Sequence, residues 1–374
     1  MTMTKKLKVA VLFGGRSGEH DVSLMSARSV ISVLDSQKYE VYQVGITLDG
    51  NWLTGEDALS AFEAGKTQDL RRVIPPTEPA SRQSLFVTRE TKSGEKLETL
   101  SAIDVFFPVL HGPFGEDGTI QGLLELADVA YVGAGVVGSS VGMDKAIFKD
   151  VMRANNIPIV DSILVSRNEI ENNMNDVIAK VEVMGEYPFF TKPANLGSSV
   201  GISKCNSRSD LAEGLMDAAR YDRRVLIEKG VGNVREVEVS VLGNEEPIAS
   251  VCGEVLPSRE FYSYESKYVD GTSGLIIPSQ LSNEITEKIR EFAIRAYKAI
   301  DCAGMARADF FVEVGTGKIY INELNTLPGF TSISMYPKLW QASGLTYAQL
   351  VDKLIELALE RKSQRDRTER RRTA

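Results

Sequence analysis

The sequence is poor in cysteine, in histidine and in positive charge. Its 374 residues include three Cys and two His, and 43 Lys and Arg residues are outnumbered by 51 Asp and Glu residues. So few, widely spaced cysteines exclude a disulfide scaffold and favour a reducing compartment. Two histidines argue against a histidine-based transition-metal site. The net charge of −8 argues against nucleic-acid binding.

Long hydrophobic runs are also missing. A membrane-spanning helix needs about 18 or more consecutive apolar residues, and the chain has no such run. The apolar segment 7–13 is short and ends at Gly14 and Gly15, which is unlike a secretion signal. We therefore expect a cytoplasmic protein without membrane contact. Its length of 374 residues predicts about two to three domains, enough to bury large cores.

Strand-like and helix-like segments alternate in the first third of the chain. This alternation predicts a parallel sheet built from βαβ units. Residues 65–100, rich in charge, Pro and Thr, are predicted to form loops with one short hairpin, and the glycines of 133–138 mark a boundary. The predicted strands are residues 9–13, 39–47 and 103–107, and the predicted helices are residues 22–33 and 119–127.

From residue 144 onward, short strands stand among amphipathic helices, which predicts an α+β arrangement. A final helix begins at Tyr347 and ends near Leu359, and the charged tail from about residue 361 is predicted to be disordered. The fold class is therefore α/β and α+β. The predicted domains are residues 1–140, 141–229 and 230–374.

Two predicted strands, 305–313 and 318–324, carry the clearest chemical pattern. If residues 314 and 318 close the hairpin between them, Asp309 lies opposite Glu323 and Arg307 lies opposite Asn325, all on one face. Two carboxylates and an amide so close together favour a hard cation such as Mg²⁺. The alternative is a solvated strand face on which Arg307 neutralises Asp309.

Small residues and lysines point to a phosphate site. Lys192 opens the segment 192–201, whose glycines and serines let a backbone approach a polyphosphate closely. The Walker A order is absent, and a flexible glycine hairpin is the alternative. Lys145 and Lys149 share one face of a helix that Asp144 caps, which fits either an anion site or a solvated face.

Two further segments suit a nucleotide and an anion. Glu228 ends a strand that leads into a linker, where the backbone and the carboxylate are placed to contact an adenine edge. Glu236 is placed for a ribose, or is a solvated strand residue. The turn at Pro328 and Gly329 either exposes backbone N–H groups to an anion or serves as a turn alone.

The order of these motifs resembles the ATP-grasp ligases, and among them the D-alanine–D-alanine ligase family, over nearly the whole chain. The resemblance implies a three-domain ATP-grasp architecture with an amino-terminal Rossmann-like parallel-sheet domain. It also implies a cytoplasmic homodimer that joins two D-alanines with ATP. Four segments carry it: GGRSGEHDVS at 14–23, HGPFGEDGTIQG at 111–122, YESKY at 264–268, and residues 307–337.

The resemblance also assigns roles to residues that bind substrates and ATP. Glu19, linked to Ser198 and Tyr268, would bind the ammonium group of the first D-alanine, and His111 would lie beside it. The second D-alanine would place its carboxylate on Ser334 and the backbone of Met335. ATP would contact Lys145, Lys192, Ser199, Glu228, Lys229, Val231, Glu236 and Lys267.

Further roles concern the reaction itself. Asp309, Glu323 and Asn325 would hold two Mg²⁺ ions, for which Mn²⁺ can substitute. Arg307 and the N–H of Gly329 would stabilise the tetrahedral intermediate. Phosphorylation by ATP turns a poor acyl donor, a carboxylate, into an acylphosphate, so water must be excluded. The polar loop 255–280 is predicted to be the mobile lid that excludes it.

Three other functions fit parts of the pattern. A D-alanine–D-lactate ligase is the nearest, but such relatives replace the lid tyrosine, often with His, and Tyr268 is present here. A non-catalytic nucleotide or amino-acid sensor would keep the fold without turnover. A nicotinamide oxidoreductase would need cofactor binding at Gly14 and Gly15, which lack the Gly-x-Gly-x-x-Gly spacing.

Overall fold

A computed structural model describes residues 5–79, 84–92, 94–197, 199–256, 274–331 and 333–369. Three sheets, of seven, four and five strands, organise these residues. No helix in the described ranges has the length and apolar character needed to cross a bilayer.

The first sheet is mixed. Its elements are β1 (Leu7–Gly14), α1 (His20–Val33), β2 (Tyr39–Ile46), β3 (Trp52–Thr54), α2 (Ala58–Glu63), β4 (Arg71–Ile74), β5 (Ser84–Thr91), β6 (Gly94–Ala102), β7 (Val105–Pro108), α3 (Thr119–Leu126) and α4 (Val136–Met143). Strand β1 pairs in parallel with β2 and β7, which confirms the predicted parallel sheet. Strands β3 to β6 extend it by antiparallel pairing.

The predicted loops of residues 65–100 are therefore wrong in part. They form β4 and most of the long β5–β6 hairpin instead of one short hairpin. Strand β6 is exposed along most of its length, so neither face carries the alternating apolar residues by which a strand is recognised.

The second sheet is antiparallel. Its strands are β8 (Ser162–Ser166), β9 (Phe189–Pro193), β10 (Ser203–Cys205) and β11 (Arg224–Lys229). The helices of this part of the chain are α5 (Lys145–Ala154), α6 (Arg167–Asn172), α7 (Met174–Glu182) and α8 (Arg208–Tyr221). Helices α6 to α8 cover a core of its own, in which Phe189, Leu211 and Val225 are fully buried.

The third sheet is also antiparallel. Its elements are β12 (Val234–Gly243), β13 (Ile248–Leu256), β14 (Gly274–Ile276), α9 (Asn283–Ala299), β15 (Gly304–Glu313) and β16 (Ile319–Asn325), followed by α10 (Met335–Ala342) and α11 (Tyr347–Asp366). Helix α9 packs Ile289 and Tyr297 against Val239 and Phe310. The strand orders of the three sheets are β6-β5-β4-β3-β2-β1-β7, β10-β9-β11-β8 and β14-β13-β12-β15-β16.

The prediction of a loop over residues 255–280 is wrong where residues 255–256 belong to β13 and residues 274–276 form β14, because these two segments pair with each other. The centre of the predicted lid, residues 257–273, lies outside the described residues.

Helices α10 and α11 join the core of the first sheet. Trp340 and Leu354 lie in one hydrophobic cluster with Val11 and Phe106. Because this burial spans the two ends of the chain, it fixes the amino-terminal loops next to the third sheet.

The prediction of a disordered tail from residue 361 is wrong for residues 361–366, which continue α11. Arg361 donates from Nη1 to the Gly133 oxygen at 2.7 Å and lies 4.1 Å above the Tyr131 ring. Arg365 pairs with Glu125 at 2.5 Å. These partners lie far away in sequence, so the local charge density of the tail gave no sign of them.

Candidate active site

One cavity of about 670 Å³ lies between the second and third sheets, with loops of the first sheet at one end. It brings together most of the residues that the sequence singled out. The cavity walls include Glu19, Lys145, Lys192, Ser199, Glu228, Lys229, Val231, Glu236, Arg307, Asp309, Glu323, Asn325, Gly329, Ser334 and Met335. Ser198, Lys267 and Tyr268 lie outside the described residues.

The β15–β16 hairpin has the predicted pairing, reached by a different route. Asp309 lies opposite Glu323 and Arg307 lies opposite Asn325. Nearer the turn the register is shifted by one residue, because the Glu313 N–H bonds the Lys318 oxygen. A bulge at residue 322 restores the predicted pairing. The two carboxylates therefore share the cavity face, as the sequence predicted.

Arg307 is held by two carboxylates. Its Nε and Nη2 donate to Asp309 at 2.7 and 2.6 Å, and Nε lies 3.0 Å from Glu238 Oε2. Burial alone would lower the pKa of Arg307, but the charges of Asp309 and Glu238 raise it well above its usual value. Arg307 therefore neutralises part of the acidic face, as the alternative interpretation of the hairpin required.

Glu238 is a residue that the sequence analysis missed. It is buried on β12 directly opposite Asp309, and it lies on the same face of that strand as Glu236, two residues earlier. The signal was present in the Glu-Val-Glu pattern of 236–238, but the pairing of β12 with β15 cannot be deduced from the spacing.

The predicted cation ligands fit a hard divalent ion by their chemistry. In the described ranges no three Asp, Glu, His or Cys side chains form a ready cluster for a metal. The hairpin instead offers two carboxylates, Asp309 and Glu323, and the amide of Asn325 on one cavity face. An all-oxygen set of this kind is suited to Mg²⁺ or Mn²⁺.

A buried chain of three charges connects α5, β9 and β11. Glu228 Oε1 is 2.8 Å from Lys149 Nζ, and Glu228 Oε2 is 2.6 Å from Lys192 Nζ. Burial raises the pKa of Glu228, but the two lysines outweigh it and lower that pKa to about 2. Lys149 is 1% exposed, so a solvated helix face is wrong for this residue. Because the carboxylate of Glu228 is paired with two lysines, only the backbone of Glu228 is placed to contact an adenine edge.

The glycine-containing loop after β9 lies against Lys145 of α5 and Glu19 of the first sheet. Lys145 Nζ donates to the Leu196 oxygen at 2.6 Å. A Cβ at Gly197 would lie 3.1 Å from Glu19 Oε2, and a Cβ at Gly112 would lie 2.6 Å from the same oxygen. Glycine at both positions leaves room for Glu19 from the first sheet to approach the loop of the second, and the positive φ of Gly112, 73°, also favours glycine there.

His111 lies behind the cavity wall. It is buried, with Nδ1 3.5 Å from Glu116 Oε1 and Nε2 3.1 Å from Ser26 Oγ. Burial lowers the pKa of His111, but Glu116 and Glu19 raise it above its usual value overall. Ser26 Oγ also accepts the N–H of Phe330 at 3.3 Å. His111 therefore links the first sheet to the loop that carries Gly329.

Ser334 and Met335 lie where helix α10 begins. Ser334 is the N-cap residue, and its Oγ accepts the Thr331 N–H at 3.0 Å. A Cβ at Gly329 would lie 3.0 Å from Ser334 Oγ, so the turn packs tightly against the helix start. The first N–H groups of a helix favour an anion, which suits a substrate carboxylate.

Comparisons with known proteins agree over nearly the whole chain. Residues 8–134 match the family described as D-ala D-ala ligase N-terminus, and residues 151–356 match D-ala D-ala ligase C-terminus. A D-alanine–D-alanine ligase from Acetivibrio thermocellus is 48% identical over 368 residues, covering 96% of this chain and 97% of the relative.

Solved structures give the same result. The D-alanine–D-alanine ligase from Coxiella burnetii has a TM-score of 0.79 at 34% identity and covers 97% of both chains. A D-Ala:D-Ser ligase from Enterococcus faecalis has a TM-score of 0.81 at 33% identity, covering 95% of this chain and 100% of that one. The chain belongs to the D-alanine–D-alanine ligase family.

Proposed function

We propose how this cavity carries out the ligation of two D-alanines to D-alanyl-D-alanine, a peptidoglycan precursor, with ATP as co-substrate. A carboxylate oxygen of the first D-alanine takes the γ-phosphoryl group as its bond to ADP breaks. The amine of the second D-alanine then attacks the acyl carbon, a C–N bond forms, and phosphate and a proton leave. The observation that supports this most is the meeting of Glu19, the lysines and the acidic hairpin in one cavity.

The lysine side of the cavity would bind the nucleotide. Lys145 and Lys192 would contact the phosphates together with Ser199, since ammonium and hydroxyl groups donate to phosphate oxygens. The backbone of Glu228, with Lys229, Val231 and Glu236, would hold the adenosine. Lys267 would approach from the lid. In phosphoryl transfer such groups act by positioning and electrostatics.

The acidic hairpin would hold the metal ions. Asp309, Glu323 and Asn325 are the proposed ligands of two Mg²⁺ ions, with Mn²⁺ as a substitute. When bound, the ions offset negative charge on the ATP phosphates. Glu238 would then remain as a carboxylate partner for Arg307, because it contacts Arg307 independently of Asp309.

The remaining residues would place the two amino acids. Glu19, with Ser198 and Tyr268, would bind the first ammonium group, and His111 would lie beside that substrate. Arg307 and the Gly329 N–H would stabilise the oxyanion of the tetrahedral intermediate. The other carboxylate would be bound by the residues at the start of α10, Ser334 and the backbone of Met335.

Incubation with D-alanine, ATP and Mg²⁺ tests this function. We expect one ADP and one phosphate for each D-alanyl-D-alanine formed, and weak activity when D-lactate replaces the second D-alanine. A strong preference for D-lactate at neutral pH would contradict peptide formation. Nucleotide binding without D-alanine-dependent ADP release would indicate a sensor.

Location and assembly are further proposals. We expect a cytoplasmic homodimer; the three cysteines are all buried and unbridged, which suits a reducing compartment. We also propose the domain bounds 1–140, 141–229 and 230–374, with the lid in the segment between β13 and β14. Size-exclusion chromatography with light scattering would test the dimer.

A further inference from the structure

Lys149 is a buried charge to which the proposed reaction gives no role. It lies on α5 one turn after Lys145, and among the described residues Lys145, Lys192 and Glu228 line the cavity but Lys149 does not. Its ammonium group contacts Glu228 at 2.8 Å. A buried ion pair is costly in desolvation, and an apolar side chain of similar volume often serves stability as well or better. Stability alone therefore gives a weak reason for a lysine here.

Glu228 divides its two oxygens between two lysines from different elements. Oε1 faces Lys149 on α5, and Oε2 faces Lys192 on β9 at 2.6 Å. Lys192 also donates to Asn322 Oδ1 at 3.4 Å. Glu228 therefore orients Lys192, but by itself it would also cancel the positive charge of Lys192.

The charge count shows what Lys149 adds. Lys192 and Glu228 alone sum to zero, whereas two ammonium groups and one carboxylate leave a charge of +1. Lys149 is 1% exposed, whereas Lys192 is 8% exposed and lines the cavity. A ligand in the cavity therefore encounters the excess positive charge at Lys192. Charges so deeply buried are screened weakly by salt.

We propose that Lys149 is a positioning residue for the nucleotide: by neutralising Glu228 from behind, it keeps the charge of Lys192 available to the ATP phosphates. This inference rests on the proposed function of the cavity. It assigns Lys149 no contact with ATP, so its effect must pass through Glu228 and Lys192.

The test measures binding of a non-hydrolysable ATP analogue with Mg²⁺ by calorimetry. Lys149→Met should weaken binding about tenfold or more, as expected for loss of one weakly screened charge near a phosphate. The double variant Lys149→Met with Glu228→Gln restores the charge of +1 and should recover at least about threefold of the binding that Lys149→Met loses. Arg153→Met removes an exposed charge from the same helix and is the matched control.

Two outcomes would overturn the proposal. The first is an affinity of Lys149→Met for the analogue within twofold of wild type. The second is a double variant that binds the analogue as weakly as the single variant does. If the single variant does not fold, the double variant carries the test alone, with a tenfold loss as the contradicting result. Because binding is measured without turnover, a wild type that binds the analogue but makes no D-alanyl-D-alanine would refute the proposed function and leave this inference standing.

Discussion

Charged side chains in the cavity form two groups of opposite sign. In the acidic group, Asp309 and Glu238 contact the guanidinium of Arg307, and Glu323 lies opposite Asp309, so three carboxylates and one guanidinium leave a charge of −2. The lysine group around Glu228 has a charge of +1. Two groups of opposite charge in the lining of one cavity suit divalent cations at the acidic group and phosphates at the basic group.

Glu323→Gln tests the acidic group. The substitution keeps the shape but removes a charged metal ligand, so turnover should fall at least about a hundredfold while the melting temperature changes little. Steady-state kinetics and thermal unfolding check this. Glu313→Gln, at the far end of the same hairpin, is the control. Undiminished activity of Glu323→Gln would refute the metal assignment.

The pair of His111 and Glu116 predicts how stability depends on pH. The pKa of His111 is raised in the folded protein, so its stabilising contribution is fully present below about pH 6.5 and is lost as pH rises through the raised pKa. Urea unfolding should show this loss as pH rises from about 6.5 through the raised pKa of His111, and Glu116→Gln should reduce the difference. An unchanged slope in Glu116→Gln would show that another group causes it.

Secondary-structure elements explain which parts of the site the sequence could predict. The pairing of Asp309 with Glu323 followed from alternation and hairpin closure, but the closure occurs one residue earlier and the bulge at residue 322 compensates. Sequence spacing contains no signal for such a bulge, so the correct pairing rested on two errors that cancel. The burial of Lys149 depends on the packing of α5 against β11, which no local pattern shows.

The last turns of α11 connect the carboxy-terminal helix to residues 125–133. A chain ending at Glu360 loses the contacts of Arg361 with Gly133 and Tyr131 and the pair of Arg365 with Glu125. We expect a loss of about 1–3 kcal/mol in the free energy of unfolding. Denaturant titration measures it, with a chain ending at Asp366 as the control. Equal stability of both truncations would show that these contacts add nothing.

The molecule as a whole is less divided than its sequence pattern suggests. The first sheet buries α10 and α11 in its own core, while the second sheet has a separate core. The predicted domain 1–140 therefore lacks part of the hydrophobic surface that covers its sheet. Distant contacts of this kind cannot be deduced from periodicity, because an amphipathic helix does not identify its partner.

A fragment of residues 1–140 tests this division. Without Trp340 and Leu354 it exposes apolar surface, so we expect poor solubility, dye binding and no cooperative unfolding. Circular dichroism and thermal scans provide the measurement. A fragment that unfolds as cooperatively as the intact protein would contradict the shared core.

The most direct test follows the oxygen atoms of the substrate. With D-alanine labelled by ¹⁸O in its carboxylate, transfer of the γ-phosphoryl group to that carboxylate predicts that each phosphate released with D-alanyl-D-alanine carries one labelled oxygen. Mass spectrometry of the phosphate shows this. Product formed together with unlabelled phosphate would contradict activation of the carboxylate by ATP.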